Sequence, residues 1–353
     1  MIDPRLRAVQ SAQGAALTDR QSMPVDFGNA ADEYAAACNT AALFDLSDRT
    51  QIELTGDDRT AFLHNFCTND IKALEPNGGC EAFITNVKGR VLAHVFVFAG
   101  ENALTVDTVA GMEDSLAAHL DRYIITEDVE LHRKTEQQAD LFVCGPQVAA
   151  LLEPLGLAAA SLIPLSQMPG TLFGQPVAVR RVDLLGTPGF LLSVPRAELA
   201  AAWSGLTEAG LRPAGSAAFD ALRIEAGWPL YGVDISEENL APEVGRNRRA
   251  ISFTKGCYLG QEPIARIDSM GHVNRQLRGL RLSAGPVPAT DTPVLSADKG
   301  NEEIGRITSA AISYADNLPV ALAYLRRTHL ASGTEVLVQT EPATVPATVF
   351  GKT

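Results

Sequence analysis

The ten residues from Thr254 to Pro263 read TKGCYLGQEP. They place a lysine, a thiol, an amide and a carboxylate around two glycines, a mixture that neither a core strand nor a solvated loop normally shows. Glycine permits backbone conformations that other residues avoid. The stretch therefore indicates a functional turn and raises the question of what chemistry it serves.

The overall composition is that of a folded protein with no nucleic-acid or membrane signature. The chain has 353 residues, 46% of them hydrophobic, and a formal net charge of −13. This length predicts two or three domains. An acidic chain lacks the lysine and arginine excess that phosphate binding requires, so we expect no nucleic-acid partner and no anionic membrane partner.

The five cysteines indicate free thiols rather than disulfides or a metal site. Their number is odd, their spacings are wide and no CxxC occurs, which excludes a zinc signature and a disulfide framework. The first twenty residues contain no apolar signal segment. We therefore expect a cytoplasmic protein with no bound metal, and we predict a monomer. The cysteines are Cys38, Cys67, Cys80, Cys144 and Cys257.

The order of the elements predicts an α+β fold followed by a small all-β domain. Residues 31–44 (ADEYAAACNTAALF) favour a short helix, 80–86 and 90–98 favour a hairpin whose second strand is central, and 216–227 favour a helix. After residue 275 the chain becomes a series of short strands separated by Gly, Pro and Asp turns, which is typical of a β-barrel or sandwich. We predict one α+β region at 1–275, made of two interleaved subdomains that divide near 140, and a barrel domain at 276–353.

Several common enzyme motifs are absent. The sequence contains no GxGxxG after a strand, no GxxxxGK[ST], no HExxH and no GxSxG. It therefore gives no support to a dinucleotide-dependent enzyme, a P-loop enzyme, a zinc protease or a serine hydrolase.

Residues 245–281 reverse the sign of the charge locally. This stretch holds eight basic and two acidic residues, a net +6 in an otherwise acidic chain. Such a patch can concentrate an anionic ligand or partner. The alternative is a set of surface arginines that pair with acidic residues elsewhere.

Glu225 is placed at the predicted end of the 216–227 helix. The negative end of the helix dipole disfavours a carboxylate there, so a compensating partner is expected. A planar ligand with two parallel N–H donors, such as a 2-amino-4-oxo-pteridine, would bind it in the bidentate manner of arginine. The alternative is a salt bridge to Arg223 or another basic side chain.

Cys257 differs from the other cysteines because it lies among polar and cationic residues. The neighbouring Lys255 could lower the pKa of its thiol and raise its reactivity. The alternative is a small buried apolar side chain, which is what most free cysteines are. We predict a functional thiol at Cys257, assisted by Lys255.

The segment TKGCYLGQE resembles the K-G-C-[FY]-x-G-Q-E signature of the YgfZ family of folate-binding proteins, relatives of the glycine cleavage T-protein, an aminomethyltransferase. Other segments agree in order, over about residues 40 to 330: LFDLSDRTQIELTGDDRTAFLHNFCTND (43–70), NVKGRVLAHVFVF (86–98), RIEAGWPLYGVDI (223–235) and NLAPE (239–243).

The resemblance implies two α/β lobes around a central folate pocket, closed by a C-terminal antiparallel β-barrel. It implies that the glutamate of R-x-E-x-G, here Glu225, recognises the pterin ring. Arg249 and Arg266 are candidates for the glutamate tail of the folate. Tyr231 and Gln261 are further candidate folate-binding residues within the matching segments.

One departure from the T-protein pattern affects the expected activity. T-proteins carry an aspartate pair in a G-G-I-L-D-D strand, whereas this chain reads G-R-V-L-A-H, with Ala93 and His94 at those positions. A carboxylate there could stabilise positive charge that develops at a folate nitrogen, and an imidazole cannot supply a fixed anion. We predict that His94 lines the folate pocket, because a histidine among Leu92, Phe96 and Phe98 needs a polar partner. The alternative is a buried histidine with one hydrogen-bond partner.

Three functions follow from the resemblance and from this departure. The first is a tetrahydrofolate-binding accessory protein for assembling or repairing iron–sulfur clusters, which uses Cys257 and contacts iron–sulfur enzymes or cluster-assembly proteins transiently. The alternative is a folate-dependent aminomethyltransferase. A third is an interaction module that retains the fold without using the ligand.

Overall fold

The computed structural model of the chain describes residues 2–19, 21–298, 302–341 and 343–351. Its α-helices are α1 (Pro4–Ala12), α2 (Ala30–Asn39), α3 (Arg59–Phe66), α4 (Glu113–Asp121), α5 (Val148–Leu152), α6 (Leu199–Glu208), α7 (Ser216–Glu225), α8 (Asn247–Ala250) and α9 (Gln261–Met270). Its strands are β1 (Ala42–Leu46), β2 (Thr50–Thr55), β3 (Gly79–Thr85), β4 (Val91–Ala99), β5 (Leu104–Thr108), β6 (Glu130–Arg133), β7 (Gln138–Cys144), β8 (Gln167–Leu172), β9 (Gln175–Arg181), β10 (Gly189–Pro195), β11 (Arg212–Ala214), β12 (Arg275–Leu282), β13 (Pro293–Ser296), β14 (Glu303–Ile312), β15 (Pro319–Arg326), β16 (Glu335–Gln339) and β17 (Thr344–Phe350).

The chain before β12 contains two β-sheets. The six-stranded sheet has the order β11-β1-β7-β10-β9-β8 and is called lobe A. The five-stranded sheet has the order β3-β4-β5-β2-β6 and is called lobe B. Strands β2 to β6 all lie between β1 and β7 in sequence, while β1 and β7 pair directly. Lobe B is therefore inserted into lobe A.

The third unit is a closed antiparallel barrel with the order β12-β15-β14-β13-β16-β17. Closure leaves no unpaired edge strand, and the interior is filled by aliphatic side chains such as Leu280, Ile307 and Val336. The sequence-based prediction of an α+β fold with a C-terminal antiparallel barrel is confirmed.

The predicted hairpin at 80–98 is confirmed, with β4 flanked by β3 and β5. Both faces of β4 are buried, and alternate residues face different cores because a strand has a side-chain period of two. Ala93 and Val95 pack inside lobe B. Phe96 and Phe98 belong to a cluster shared with lobe A. His94, which has the ionisable side chain of β4, therefore lies on the face directed away from the core of lobe B.

The predicted helix at 31–44 is correct only in its first part. The helix α2 ends at Asn39, and the chain then enters β1 at Ala42. Strand β1 pairs with both β7 and β11, and its residues Ala42, Leu43 and Phe44 are buried on both faces. Tertiary pairing in the middle of a sheet overrides the helical preference of the alanine-rich sequence.

Candidate functional site

A cavity of about 280 Å³ lies where both lobes meet α7. Larger clefts of about 520, 440, 430 and 350 Å³ adjoin the barrel or α4. Only the 280 Å³ cavity among these touches lobe A, the β1–β2 turn and α7 together. Its lining residues are Gln21, Ser22, Met23, Asp45, Leu46, Asp48, Arg49, Val109, Ala110, Leu184, Ser216, Phe219, Asp220, Arg223, Trp228, Leu230 and Val233.

One face of α7 forms a wall of the cavity. Ser216, Phe219, Asp220 and Arg223 all line it, and their spacing of three and four residues puts them on one helix face. Glu225 is nine residues after Ser216, which at 3.6 residues per turn is half a turn round the helix. Glu225 therefore lies on the opposite face of α7 and is absent from the cavity wall.

Glu225 instead contacts α2 and the barrel. Its Oε2 accepts a hydrogen bond from the Tyr34 hydroxyl at 2.7 Å, and its Oε1 lies 4.0 Å from a guanidinium nitrogen of Arg281. Oε1 is buried and has no hydrogen-bond partner among the described residues. This oxygen is therefore the acceptor of Glu225 that no donor among the described residues satisfies. The Arg223 side chain, the alternative partner considered from sequence, bonds Asp220 and Asp234 instead.

The cavity combines an apolar wall with acidic side chains. Phe219 and Trp228 contribute aromatic surface. The positive charge of Arg49 is balanced by Asp107, because Arg49 Nε donates a hydrogen bond to Asp107 Oδ1 at 2.8 Å. Asp220 accepts from Arg223 Nε at 2.6 Å, whereas the carboxylate of Asp48 accepts no hydrogen bond from the described residues. Asp48 is therefore the acidic group of this wall best able to accept hydrogen bonds from a ligand.

Beside the cavity, Trp228 covers a buried polar cluster. Its indole stacks on Phe96 at 5.5 Å and 14°, and on the imidazole of His94 at 5.2 Å and 28°. The guanidinium of Arg246 lies 4.1 Å from the indole centre, within cation–π range. Strand register places Glu81 of β3 opposite Phe96, so this carboxylate lies in the same layer.

Glu81 holds this cluster together. His94 Nε2 lies 2.8 Å from Glu81 Oε1, and Arg246 bonds both carboxylate oxygens, with Nη2 at 2.6 Å from Oε2. Burial raises the pKa of Glu81, but the ion pair with Arg246 and the hydrogen bonds outweigh it and lower the pKa to about 2. Burial lowers the pKa of His94. The result is a fixed anion next to a neutral imidazole, with the arginine balancing its charge.

The loop with the TKGCYLGQE sequence is fastened to lobe B. Lys255 is buried, and its Nζ donates to the carbonyl oxygens of His64, Cys67 and Asn69. Leu259 N donates to Asn65 O at 2.8 Å. Since three carbonyls hold the ammonium group at the end of α3, the structure gives no support to activation of Cys257 by Lys255.

The thiol of this loop is accessible. Cys257 is exposed, Cys38 is half-buried, and Cys67, Cys80 and Cys144 are buried. The interpretation of Cys257 as a small buried apolar side chain is therefore wrong. An exposed thiol on an anchored loop can meet a partner or a reagent without unfolding of the protein.

The other predicted folate contacts do not converge on the cavity. Arg249 and Arg266 are exposed, and Gln261 is the first residue of α9. Tyr231 packs against the cluster around Ile235 and Tyr258, and burial together with Glu237 raises its pKa to about 12. These assignments remain predictions.

Sequence reasoning missed three residues of the site, namely Asp48, Glu81 and Trp228. A signal was present for Trp228, because it is one of only two tryptophans and follows the R-x-E-x-G segment. Glu81 interrupts the apolar run of a predicted strand and so required a buried partner. Asp48 gave no comparable signal, because an aspartate in a turn is ordinary.

Two models of known protein families together match almost the whole chain. The profile described as the GCVT N-terminal domain matches residues 6–255, and the Glycine cleavage T-protein C-terminal barrel domain matches residues 275–353.

The chain belongs to the glycine cleavage T-protein family.

The two curated relatives described next are both named aminomethyltransferase. The aminomethyltransferase of Streptomyces avermitilis is 31% identical over 344 residues, covering 93% of this chain and 90% of that protein. The aminomethyltransferase of Caldanaerobacter subterraneus is 30% identical over 336 residues, covering 91% and 87%. These similarities support the T-protein family as a whole and do not single out the YgfZ branch.

The T-protein fold is confirmed by a solved structure. The aminomethyltransferase T of the glycine cleavage system from Bartonella henselae superposes with a TM-score of 0.86, covering 98% of this chain and 96% of that one. Because the sequence identity is 22%, this likeness establishes the fold alone.

The described residues of this T-protein family member contain neither a candidate membrane-spanning helix nor a cluster of metal-ligating side chains. No helix among them is long and apolar enough to cross a membrane. No group of three or more His, Cys, Asp or Glu side chains within the same residues could hold a metal ion.

Proposed function

We propose that this protein binds a reduced folate in the cavity beside Trp228. The observation that carries the proposal is the cavity itself, in which aromatic surface and an available carboxylate meet between the two lobes. Ligand sites are commonly such concave, largely apolar spaces with a few polar groups. Family membership supports the same ligand class.

The cavity chemistry suits a pterin ring. Phe219 and Trp228 offer apolar surface to a flat heterocycle, since aromatic side chains favour offset or edge contacts with other rings. The 2-amino-4-oxo edge of a pterin presents parallel N–H donors that match a carboxylate. We assign that acceptor to Asp48, with the free oxygen of Glu225 as the competing assignment.

Aminomethyl transfer to tetrahydrofolate is the first candidate for the use of the bound folate. The names of the relatives that span most of the chain favour it. The pair Ala93 and His94 supplies no carboxylate on β4, but Glu81 on the adjacent strand supplies a fixed anion in contact with His94. Arg246 neutralises that anion, so we expect weaker stabilisation of a developing cation than an unpaired aspartate gives.

An accessory role in iron–sulfur cluster assembly or repair is the second candidate. The exposure of Cys257 on an anchored loop favours it, because a thiol that acts on a client must be reachable. In this role the folate is a ligand or co-substrate, and contacts with iron–sulfur enzymes or assembly proteins are transient.

Calorimetric titration tests the folate proposal. We expect tetrahydrofolate to bind with a measurable heat and to raise the unfolding temperature, because a ligand that binds only the native state stabilises it. Incubation of the complex with an aminomethyl donor, followed by mass spectrometry of the folate, then tests the transfer reaction. Absence of heat and of a thermal shift at millimolar tetrahydrofolate would contradict the proposal.

The Cys257→Ser variant tests the second use. We expect it to fail to restore iron–sulfur enzyme activity in cells that lack the protein, while its folate affinity and unfolding temperature stay unchanged. Cys38→Ser, in a half-buried cysteine outside the loop, is the matched control and should restore activity. Full restoration by Cys257→Ser would remove the thiol from the function.

A further inference from the structure

A second cavity, between α9 and the barrel, contains a buried arginine. Its volume is about 440 Å³. It shares no lining residue with the cavity beside Trp228, so it is a separate site. The side chains that bear on its chemistry are Asn247, Asp268, His272, Gln276, Arg278 and Arg327.

Arg278 is 4% exposed, and its hydrogen-bond partners among the described residues are all neutral. Its Nε donates to Leu330 O at 3.1 Å, Nη1 to Leu277 O at 2.8 Å and Nη2 to Gln276 Oε1 at 2.6 Å. No carboxylate among the described residues forms an ion pair with it. A guanidinium has five N–H groups, and these three bonds leave two of them without an acceptor in the part of the chain that the structure describes.

A buried cation without a counter-ion is unfavourable. Removal of a charge from water costs several kcal/mol, and an oppositely charged partner normally offsets that cost. The buried Arg223 shows the usual solution, since it pairs with Asp234, and the Arg246 side chain, which is 10% exposed, pairs with Glu81. Arg278 departs from that pattern.

The groups around Arg278 leave the cavity positive. Arg327 adds a second guanidinium at the rim, and His272 adds an imidazole whose Nδ1 lies 2.9 Å from Met270 O. Asp268 is the single acidic residue among those that line the cavity, so with Arg278 and Arg327 the lining carries a net charge of +1. The planar fork of a guanidinium matches the paired oxygens of a carboxylate or phosphate.

We propose that this cavity binds a small oxyanion, a phosphate or carboxylate group, with Arg278 at its base and Arg327 at its rim. The anion supplies the missing counter-charge and fastens α9 to β12. Because α9 begins at Gln261, directly after the loop with Cys257, occupancy of this cavity stiffens the element that follows the exposed thiol.

Thermal unfolding of the full chain in the absence of folate tests the site. Phosphate and citrate are titrated separately at constant ionic strength, with sodium chloride as the balancing salt. We expect at least one of them to raise the unfolding temperature saturably, since it binds the native state. A response to phosphate alone or to citrate alone identifies the source of the oxyanion.

Variants separate a built site from general salt effects. Arg327→Gln should raise the half-saturating anion concentration about tenfold or more. Arg278→Met should abolish the rise in unfolding temperature. Arg248→Gln, in an exposed arginine outside the cavity, should respond like the wild type. If Arg278→Met does not fold, Arg327→Gln carries the test alone. No saturable shift with either anion, or an unchanged response in Arg327→Gln, would overturn the proposal.

Discussion

Replacement of Glu81 by alanine is expected to lower the free energy of unfolding by about 3–5 kcal/mol, the range for breaking a buried ion pair from one side. The side chain of Glu81 is 2% exposed and accepts hydrogen bonds from Arg246 and His94. Its removal leaves the guanidinium buried without a counter-ion. Urea-induced unfolding followed by circular dichroism measures the change.

The matched control is Glu302→Ala. Glu302 pairs with Arg326 on the surface, where the two side chains are 50% and 55% exposed. Exposed pairs contribute about 0–1 kcal/mol, so this variant should resemble the wild type. Equal losses in the two variants would show that the Glu81 cluster has no special role in stability.

The pH dependence of the Glu81 contribution has a definite sign. The folded-state pKa, about 2, lies below the ordinary glutamate value of 4.5, so the contribution is fully present above pH 4.5. It is lost as the pH falls from 4.5 towards 2, because the unfolded chain then binds the proton more tightly. The stability difference between wild type and Glu81→Ala should therefore shrink over that interval, by about 3 kcal/mol at most.

Replacement of Trp228 by alanine is expected to weaken tetrahydrofolate binding about ten- to hundredfold. The reason is that loss of one aromatic contact to a bound heterocycle costs about 1–3 kcal/mol of binding free energy. The variant also exposes the Glu81 cluster, which the indole covers. Calorimetry well below the unfolding temperature separates affinity from stability. Trp203→Phe is the control, since Trp203 is buried in the core of lobe A.

Glu225→Gln discriminates between the two assignments of the pterin acceptor. If the ligand occupies the cavity, this variant binds nearly as well as wild type, since Glu225 lies on the opposite face of α7. If the free Oε1 of Glu225 holds the pterin, Glu225→Gln loses affinity and Trp228→Ala does not. Asp48→Asn should lose affinity for tetrahydrofolate if the ligand occupies the cavity, and should bind it like the wild type if Glu225 holds the pterin.

The architecture was predictable because its signals are local. Period-two and period-3.6 patterns, turn residues after residue 275 and the TKGCYLGQE segment were sufficient for the fold class and for the T-protein family, but the YgfZ branch stays a prediction. The helix predicted at 31–44 failed in its last residues because the pairing of β1 with β7 and β11 is decided by distant strands.

The site was less predictable because it depends on which face of an element a residue occupies. Glu225 was identified from a helix end, but its position relative to Ser216 directs it towards Tyr34. Lys255 was interpreted from its neighbour in sequence, whereas its ammonium group reaches carbonyls of the segment after α3. Glu81 and Arg246 are 165 residues apart, and no local pattern joins them.

A fluorescence titration with tetrahydrofolate tests the proposed folate site beside Trp228. The chain has two tryptophans, so Trp203→Phe leaves Trp228 as the only one. We predict a saturable change in Trp228 emission in that protein. We predict none in the Trp228→Phe protein, where the emission of Trp203 in the core of lobe A corrects for absorption by the folate. Folate binding detected by calorimetry with Trp228 emission unchanged would contradict a folate site beside Trp228.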